Sequence, residues 1–196
     1  MTDSDAASHA ARSVGVATFP TAIGHCGIAW TDEGIVGLHL PEDDPDATLR
    51  RMRSRIRDRY SAGSVPSAPP ESIRRVIDAI TESLAGERTV DLADIELDMR
   101  GVPEFDQRVY AIARRIPPGQ TRTYGEIAAE LGDKSLARAV GQSLGHNPFA
   151  PVVPCHRVLA ANGKPGGFSA NGGALTKLRM LAIEGAAPGG TPSLFD

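Results

Sequence analysis

Apolar positions along the chain change their spacing as the predicted elements change. Val16-Ala17-Thr18-Phe19, Cys26-Gly27-Ile28-Ala29-Trp30 and Ile35-Val36-Gly37-Leu38-His39-Leu40 are short runs rich in β-branched and aromatic residues. They predict three strands, the last two joined by the turn Thr31-Asp32-Glu33-Gly34. The period then lengthens. Leu49, Met52, Ile56 and Tyr60 step by three or four and predict a helix opened by Pro45. Its other face carries Arg50, Arg51, Arg53, Arg55, Arg57 and Arg59, a row that can bind phosphate, although a solvated face is the ordinary reading. Residues 64–70, with three prolines, read as a loop. Ile73, Val76, Ile77, Ile80 and Leu84 predict a second helix ended by Gly86. Residues 90–99 predict a strand leading into a linker. Together these make a small α/β unit over 15–99 with no candidate catalytic residue, behind a leader at 1–14 that has no periodicity.

The second half is helical first. Phe105, Val109 and Ile112 predict a helix over 103–116, stopped by Pro117-Pro118-Gly119. Thr123 with Glu126 three residues on reads as a capping box for a helix over 124–131. Gly132-Asp133-Lys134 is a tight turn, and Ser135 is expected to cap a further helix reaching Leu144. Helix, glycine turn, helix is the geometry of a helix-turn-helix, whose second helix can enter a DNA groove.

Composition narrows the class. Of 196 residues, 41% are hydrophobic and 23% charged, which fits a folded domain and excludes wholesale disorder. No apolar run approaches the roughly 18–20 residues that span a bilayer, so no membrane association is expected. Residues 1–100 hold 11 Lys/Arg against 17 Asp/Glu, while 101–196 hold 10 against 7. A mildly basic second half fits contact with a polyanion. Two cysteines cannot build a disulfide framework, and His25-Cys26 has no second cysteine or CxxC to make a metal site. Cys26 reads as a buried strand residue. The polar, acidic start Met1-Thr2-Asp3-Ser4-Asp5 lacks the pattern of a secretory signal, so a cytoplasmic protein is expected.

The chemistry concentrates in Pro151-Val152-Val153-Pro154-Cys155-His156-Arg157-Val158. Two prolines fix φ on either side of a β-branched pair and stiffen the approach to Cys155. His156 is close enough to act on the thiol if a turn or a bridging water connects them. The residues alone leave three readings open. Cys155 is an inert buried thiol beside a histidine, the nucleophile of a Cys-His hydrolase, or the nucleophile of a transferase.

Residues 103–187 resemble the O6-alkylguanine-DNA alkyltransferases. The resemblance rests on Asn147-Pro148 with Val153-Pro154-Cys155-His156-Arg157-Val158, on Arg122-Thr123-Tyr124-Gly125-Glu126-Ile127-Ala128, and on Ala137-Arg138-Ala139-Val140-Gly141. It implies an α/β (α+β) protein with a small ribonuclease-H-like N-terminal domain and a winged helix-turn-helix-like catalytic domain. The implied function is direct-reversal repair. The alkyl group of O6-alkylguanine, and of O4-alkylthymine, moves irreversibly to Cys155 from a flipped-out base, once per molecule and without a cofactor. His156 would act as base through a water, with Glu184 hydrogen-bonded to it, and Asn147 would hold the turn before the active-site strand. Arg138 would enter the base stack, with Ser135, Ala137 and Ala139 beside it in the minor groove of double-stranded DNA, largely without sequence preference. Tyr124 would press on a phosphate and protonate the leaving guanine. Ser169, Phe168, Val158 and Val153 would bind the base. Phe168 replaces a tyrosine usual in the family, Ala170-Asn171 lengthens the binding loop, and Leu136 is larger than usual. A non-catalytic binder of alkylated bases is the other class compatible with these helices, and Cys155 argues against it. The tail 188–196 is expected to be flexible, and its Leu194-Phe195 resembles peptides that dock on the bacterial sliding clamp.

Overall fold

The computed structural model describes residues 14–57, 59–60 and 64–186. Val14, the last residue of the expected leader, is wholly buried and opens the first strand; the other leader residues lie outside the described ones. The clamp motif and the rest of the tail lie outside the described residues.

The first half builds one four-stranded sheet. β1 (Val14–Thr21), β2 (Gly24–Thr31) and β3 (Gly34–His39) form an antiparallel meander, and β4 (Ser64–Pro66) joins β1 in parallel, giving the order β3-β2-β1-β4. The expected loop at 64–70 thus begins as a strand. An edge position tolerates Pro66, since no neighbour needs its missing N–H. Side chains alternate across the sheet. Val14, Val16, Ala29 and Val36 face α1 (Pro45–Arg57), while Cys26, Ile28 and Trp30 face α2 (Glu71–Ala85). Gly86 ends α2 at φ 74°, a left-handed cap that glycine adopts without strain.

Residues 90–99 form no strand. Their carbonyls are bonded by side chains instead: Arg59 donates to the Asp98 and Arg100 carbonyls, and Arg114 to that of Ile95. Only an isolated bridge, Ile35 with Leu97, touches the sheet. The guanidinium groups of Arg59, just past α1, and of Arg114 from the following helix satisfy these carbonyls without a partner strand. Tyr60 lies beyond the end of α1, buried, with its hydroxyl donated to Asp98 Oδ2 at 3.0 Å.

The second half packs α3 (Glu104–Arg114), α4 (Tyr124–Glu130) and α5 (Ala137–Gly145) around Val109, Ile112, Ile127, Val140 and Leu144. α6 (Ala174–Ile183) is the last element of the described residues. The capping box at Thr123 and Glu126 is formed on both sides. Ser135 does not cap the helix after the turn. A single 3-10 turn at Lys134–Leu136 precedes α5, and Asp133 caps that turn, accepting from the Ser135 N–H at 2.8 Å; α5 itself starts after Leu136 with no side-chain cap. No helix among the described residues is long and apolar enough to cross a membrane.

Candidate active site

Cys155 stands at the start of a tight turn. Pro154, at φ −82° and ψ 66°, bends the chain so that the Cys155 N–H donates to the Val153 carbonyl at 2.8 Å, an inverse γ-turn. One 3-10 turn over Cys155–Arg157 follows. This compact bend replaces the extended strand in which Cys155 and His156 would lie on opposite faces. Asn147 fixes the approach: its Nδ2 donates to the Val153 carbonyl at 2.8 Å and its Oδ1 accepts from the Phe149 N–H at 2.9 Å. The first half braces the same segment, since the Leu38 N–H donates to the Pro148 carbonyl at 2.8 Å and Arg55 to that of Asn147 at 3.3 Å.

A two-stranded parallel pair carries the second component. β5 (Arg122–Thr123) lies beside β6 (Val158–Leu159), with Arg122 opposite Val158 and Thr123 opposite Leu159. The capping box starts α4 directly after β5, so Tyr124 is delivered to the Cys155 turn although 31 positions separate them in the sequence. Glycine makes room for its ring. Gly166, at φ +67°, lies where a Cβ would come within 3.4 Å of the Tyr124 ring and hydroxyl. Tyr124, Ala137, Arg138, Gly141, Cys155 and Ser169 line a cleft of about 500 Å³ between α5 and the 167–169 loop. Arg138 points from α5 with its side chain exposed and no partner among the described residues.

Behind the cysteine lies a buried charge cluster. Glu184 accepts from His156 Nε2 at 2.9 Å and from Arg157 Nε and Nη2 at 3.0 and 2.8 Å, while Arg157 Nη1 holds the Ile116 carbonyl at 2.6 Å. Burial alone would raise the Glu184 pKa, but hydrogen bonds and charge from His156 and Arg157 pull it down to about 2. Burial lowers the His156 pKa despite Glu184. An ionised carboxylate only accepts, so Nε2 carries the imidazole proton and Nδ1 is left as an acceptor. That Nδ1 is buried and has no hydrogen-bond partner among the described residues. Burial raises the Cys155 pKa, opposed first by a hydrogen bond from Asn147 and then by the charges of Lys177 and Arg55.

Lys177 on α6 is wholly buried, donates to the Val158 carbonyl at 2.5 Å, and lies 5.8 Å from the ring centres of both Tyr124 and Phe168. Burial lowers its pKa to about 8, against the pull of Cys155. The sequence reading assigned no role to Lys177, Arg157 or Arg55. Lys177 is legible only as a lysine on the apolar stripe of α6, between Ala174 and Met180, and Arg55 only as one of six arginines. The first half, read as holding no candidate catalytic residue, supplies lining: Leu38, His39 and Arg55 border the crevice on the far side of Cys155.

Cys155, His156, Glu184, Asn147 and Tyr124 are gathered in one site, with Arg138, Ala137, Phe168 and Ser169 around its mouth. Val153 and Val158 are corrected as base contacts. Both side chains are wholly buried in the core, and what they offer the site is their carbonyls. Ser135 is exposed and bonded to Asp133, outside the cleft. Ala139 is half-buried on α5. The added Asn171 ties the binding loop to the first half through a 2.8 Å bond to Asp43.

The family model described as "6-O-methylguanine DNA methyltransferase, DNA binding domain" matches residues 104–186. A methylated-DNA–protein-cysteine methyltransferase of Mycolicibacterium paratuberculosis is 41% identical over 165 residues, covering 84% of this chain and 96% of that protein. A Thermus thermophilus relative named a DNA base-flipping protein is 40% identical over 121 residues, 62% of this chain and 79% of its own. A crystal structure of Mycobacterium tuberculosis OGT in complex with DNA superposes with a TM-score of 0.67 at 35% identity, covering 88% of this chain and 92% of that one.

Proposed function

This chain belongs to the methylated-DNA–protein-cysteine methyltransferases, and on that footing we propose that it repairs DNA by drawing an alkyl group from guanine O6 of a flipped-out nucleotide onto Cys155. Its partner is DNA, and its reaction is alkyl transfer to protein cysteine. The single observation that carries the residue assignment is the position of Cys155 on the floor of a cleft between α5 and the 167–169 loop, with His156, Glu184 and Arg157 buried behind it.

The target carbon is an sp³ centre on an aryl-type oxygen. His156 Nδ1 takes the thiol proton through a water, and the sulfur forms a C–S bond as the C–O bond breaks. The electron pair goes to the guanine, which Tyr124 protonates. Burial and the Cys155 charge raise the Tyr124 pKa, so its hydroxyl keeps its proton until the leaving group needs it. Glu184 holds the imidazole in the tautomer that accepts at Nδ1, and Lys177 favours the thiolate electrostatically. The thioether has no base in reach that reverses it, so each molecule acts once. Extracting the base costs a few kcal/mol, and Arg138 offsets part of this by filling the vacated space from the minor groove. Binding rests on phosphate contacts with little sequence preference.

The catalytic components thus fall mostly in 103–187, with 15–99 bracing the Asn147 segment. Leu194-Phe195 recruiting a sliding clamp is a separate proposal, tested by comparing clamp binding before and after deletion of residues 191–196. The main test is a titration with excess duplex containing O6-methylguanine. Transfer is expected to stop at one methyl per protein and to vanish in Cys155→Ala. Continued turnover, or tight lesion binding without transfer, overturns the assignment, the latter in favour of a lesion sensor.

A further inference from the structure

Six arginines fall within the ten residues 50–59, and the fold uses only some of them. Arg55 and Arg59 turn inward to backbone carbonyls, and Arg53 is bound to Ser64. Arg50, Arg51 and Arg57 are exposed, and none has a carboxylate partner among the described residues; Arg57 reaches only the Ser54 hydroxyl, at 3.4 Å. Like charges three and four apart on one helix repel, so α1 carries a face that a polyanion would relieve.

That face borders two clefts that meet at Arg50 and Ser54. One cleft of about 420 Å³ is bordered by Arg50, Arg53, Ser54, Arg57 and Ser64. A second, of about 560 Å³, shares Arg50 and Ser54 and adds Arg51, Ser169 and Asn171. Ser169 also borders the Cys155 cleft, so the second cleft is one loop's width from the lesion site. Glu42, bonded to His39, is the one carboxylate lining these two clefts among the described residues, against the guanidinium groups of Arg50, Arg51, Arg53 and Arg57; Asp43 is bonded to Asn171, and Asp46 stands exposed one turn before Arg50. An excess of guanidinium and hydroxyl donors over acceptors is what phosphate oxygens require.

We propose that Arg50, Arg51 and Arg57 form a second grip on the DNA backbone, so that the first half of the chain holds the duplex flanking the lesion. The proposal rests on DNA being the substrate of Cys155, and its test separates the two. The full chain carrying R50Q/R51Q/R57Q is compared with wild type on an unmodified duplex too short to hold two molecules. Affinity is expected to fall roughly tenfold or more at low salt, and the slope of log K against log[salt] to become shallower by about 2.7, or 0.9 for each of three phosphate contacts. Alkylation of Cys155 by free O6-benzylguanine, which has no phosphate, keeps its wild-type rate, and the thermal midpoint is unchanged. Unaltered affinity and slope on the short duplex overturn the proposal. So does a loss confined to long duplexes, which assigns the face to a neighbouring copy of the chain. Should neither DNA nor free base alkylate Cys155, the transferase assignment fails while the salt slope still reads the grip.

Discussion

Cys26 and Cys155 are both free and both buried, at 2% and 8% exposure, yet their surroundings differ in kind. Cys26 points from β2 into the apolar layer under α2, among Phe19, Ile28 and Trp30. Its one polar neighbour is the Thr21 hydroxyl at 3.9 Å, and burial pushes its thiol up to about 12. Cys155 is buried as deeply, but it opens onto a cleft and is faced by the Asn147 amide, Lys177 and Arg55. Burial alone thus makes an inert thiol. What sets Cys155 apart, and supports its proposed role as nucleophile, is the set of donors and cations that stabilise a thiolate, together with an acceptor for its proton.

The largest effect comes from the thiols themselves. Cys155→Ala abolishes methyl transfer, while Cys26→Ala changes the transfer rate by less than about twofold and lowers the unfolding free energy by roughly 1 kcal/mol for the lost buried sulfur. A radiolabel-transfer assay and urea melts read the two.

Removing the support behind the turn comes next. Glu184→Ala leaves His156 and Arg157 buried without their carboxylate and costs about 3–5 kcal/mol of stability. Glu184→Gln keeps the shape but not the charge. Because the folded pKa of Glu184 is lowered to about 2, its contribution is present above its ordinary value of 4.5 and is lost as the pH falls from there through about 2. Acid melts of wild type should therefore lose stability across that window, and Glu184→Gln should lose less.

A smaller effect is expected at Lys177. Its cation favours the Cys155 thiolate, so Lys177→Met slows alkylation at pH values below about 8, where the wild-type lysine is protonated. Each unit by which the lost charge raises the thiol pKa slows the reaction about tenfold in that range. Above about pH 8 the wild-type lysine itself loses its proton, so the two profiles converge there. Arg55→Met acts in the same direction and less, being half-buried, and lowers the rate by about threefold. Alkylation by a small electrophile, followed across pH, checks both.

How far the sequence carries this comparison depends on the range of each signal. The meander, both flanking helices and the capping box at Thr123 are local patterns and were legible. So was Cys155, because two prolines, a histidine and the family motif cluster within eight positions. Cys26 was legible as a strand residue from the alternation of its neighbours. The strand at 64–66 was hidden by Pro66 and by Pro69-Pro70 just after it, and the strap at 90–99 passed for a strand because its hydrogen bonds come from Arg59 and Arg114, far off in sequence. Lys177 and Arg55 were missed for the same reason. A buried cation looks like any surface lysine or arginine until the fold brings it to the thiol it serves. Val153 and Val158, which the family resemblance implied as base-binding residues, have side chains that belong to the core, and the motif carries no signal of which way a side chain turns.

The most direct test sets the two thiols against each other in one sample. Wild-type protein is incubated with duplex DNA containing O6-methylguanine, digested, and the peptides bearing Cys26 and Cys155 are weighed. A gain of one methylene confined to the Cys155 peptide is the predicted result. Methylation of Cys26, or loss of the methyl from DNA with both peptides unchanged, would contradict the account.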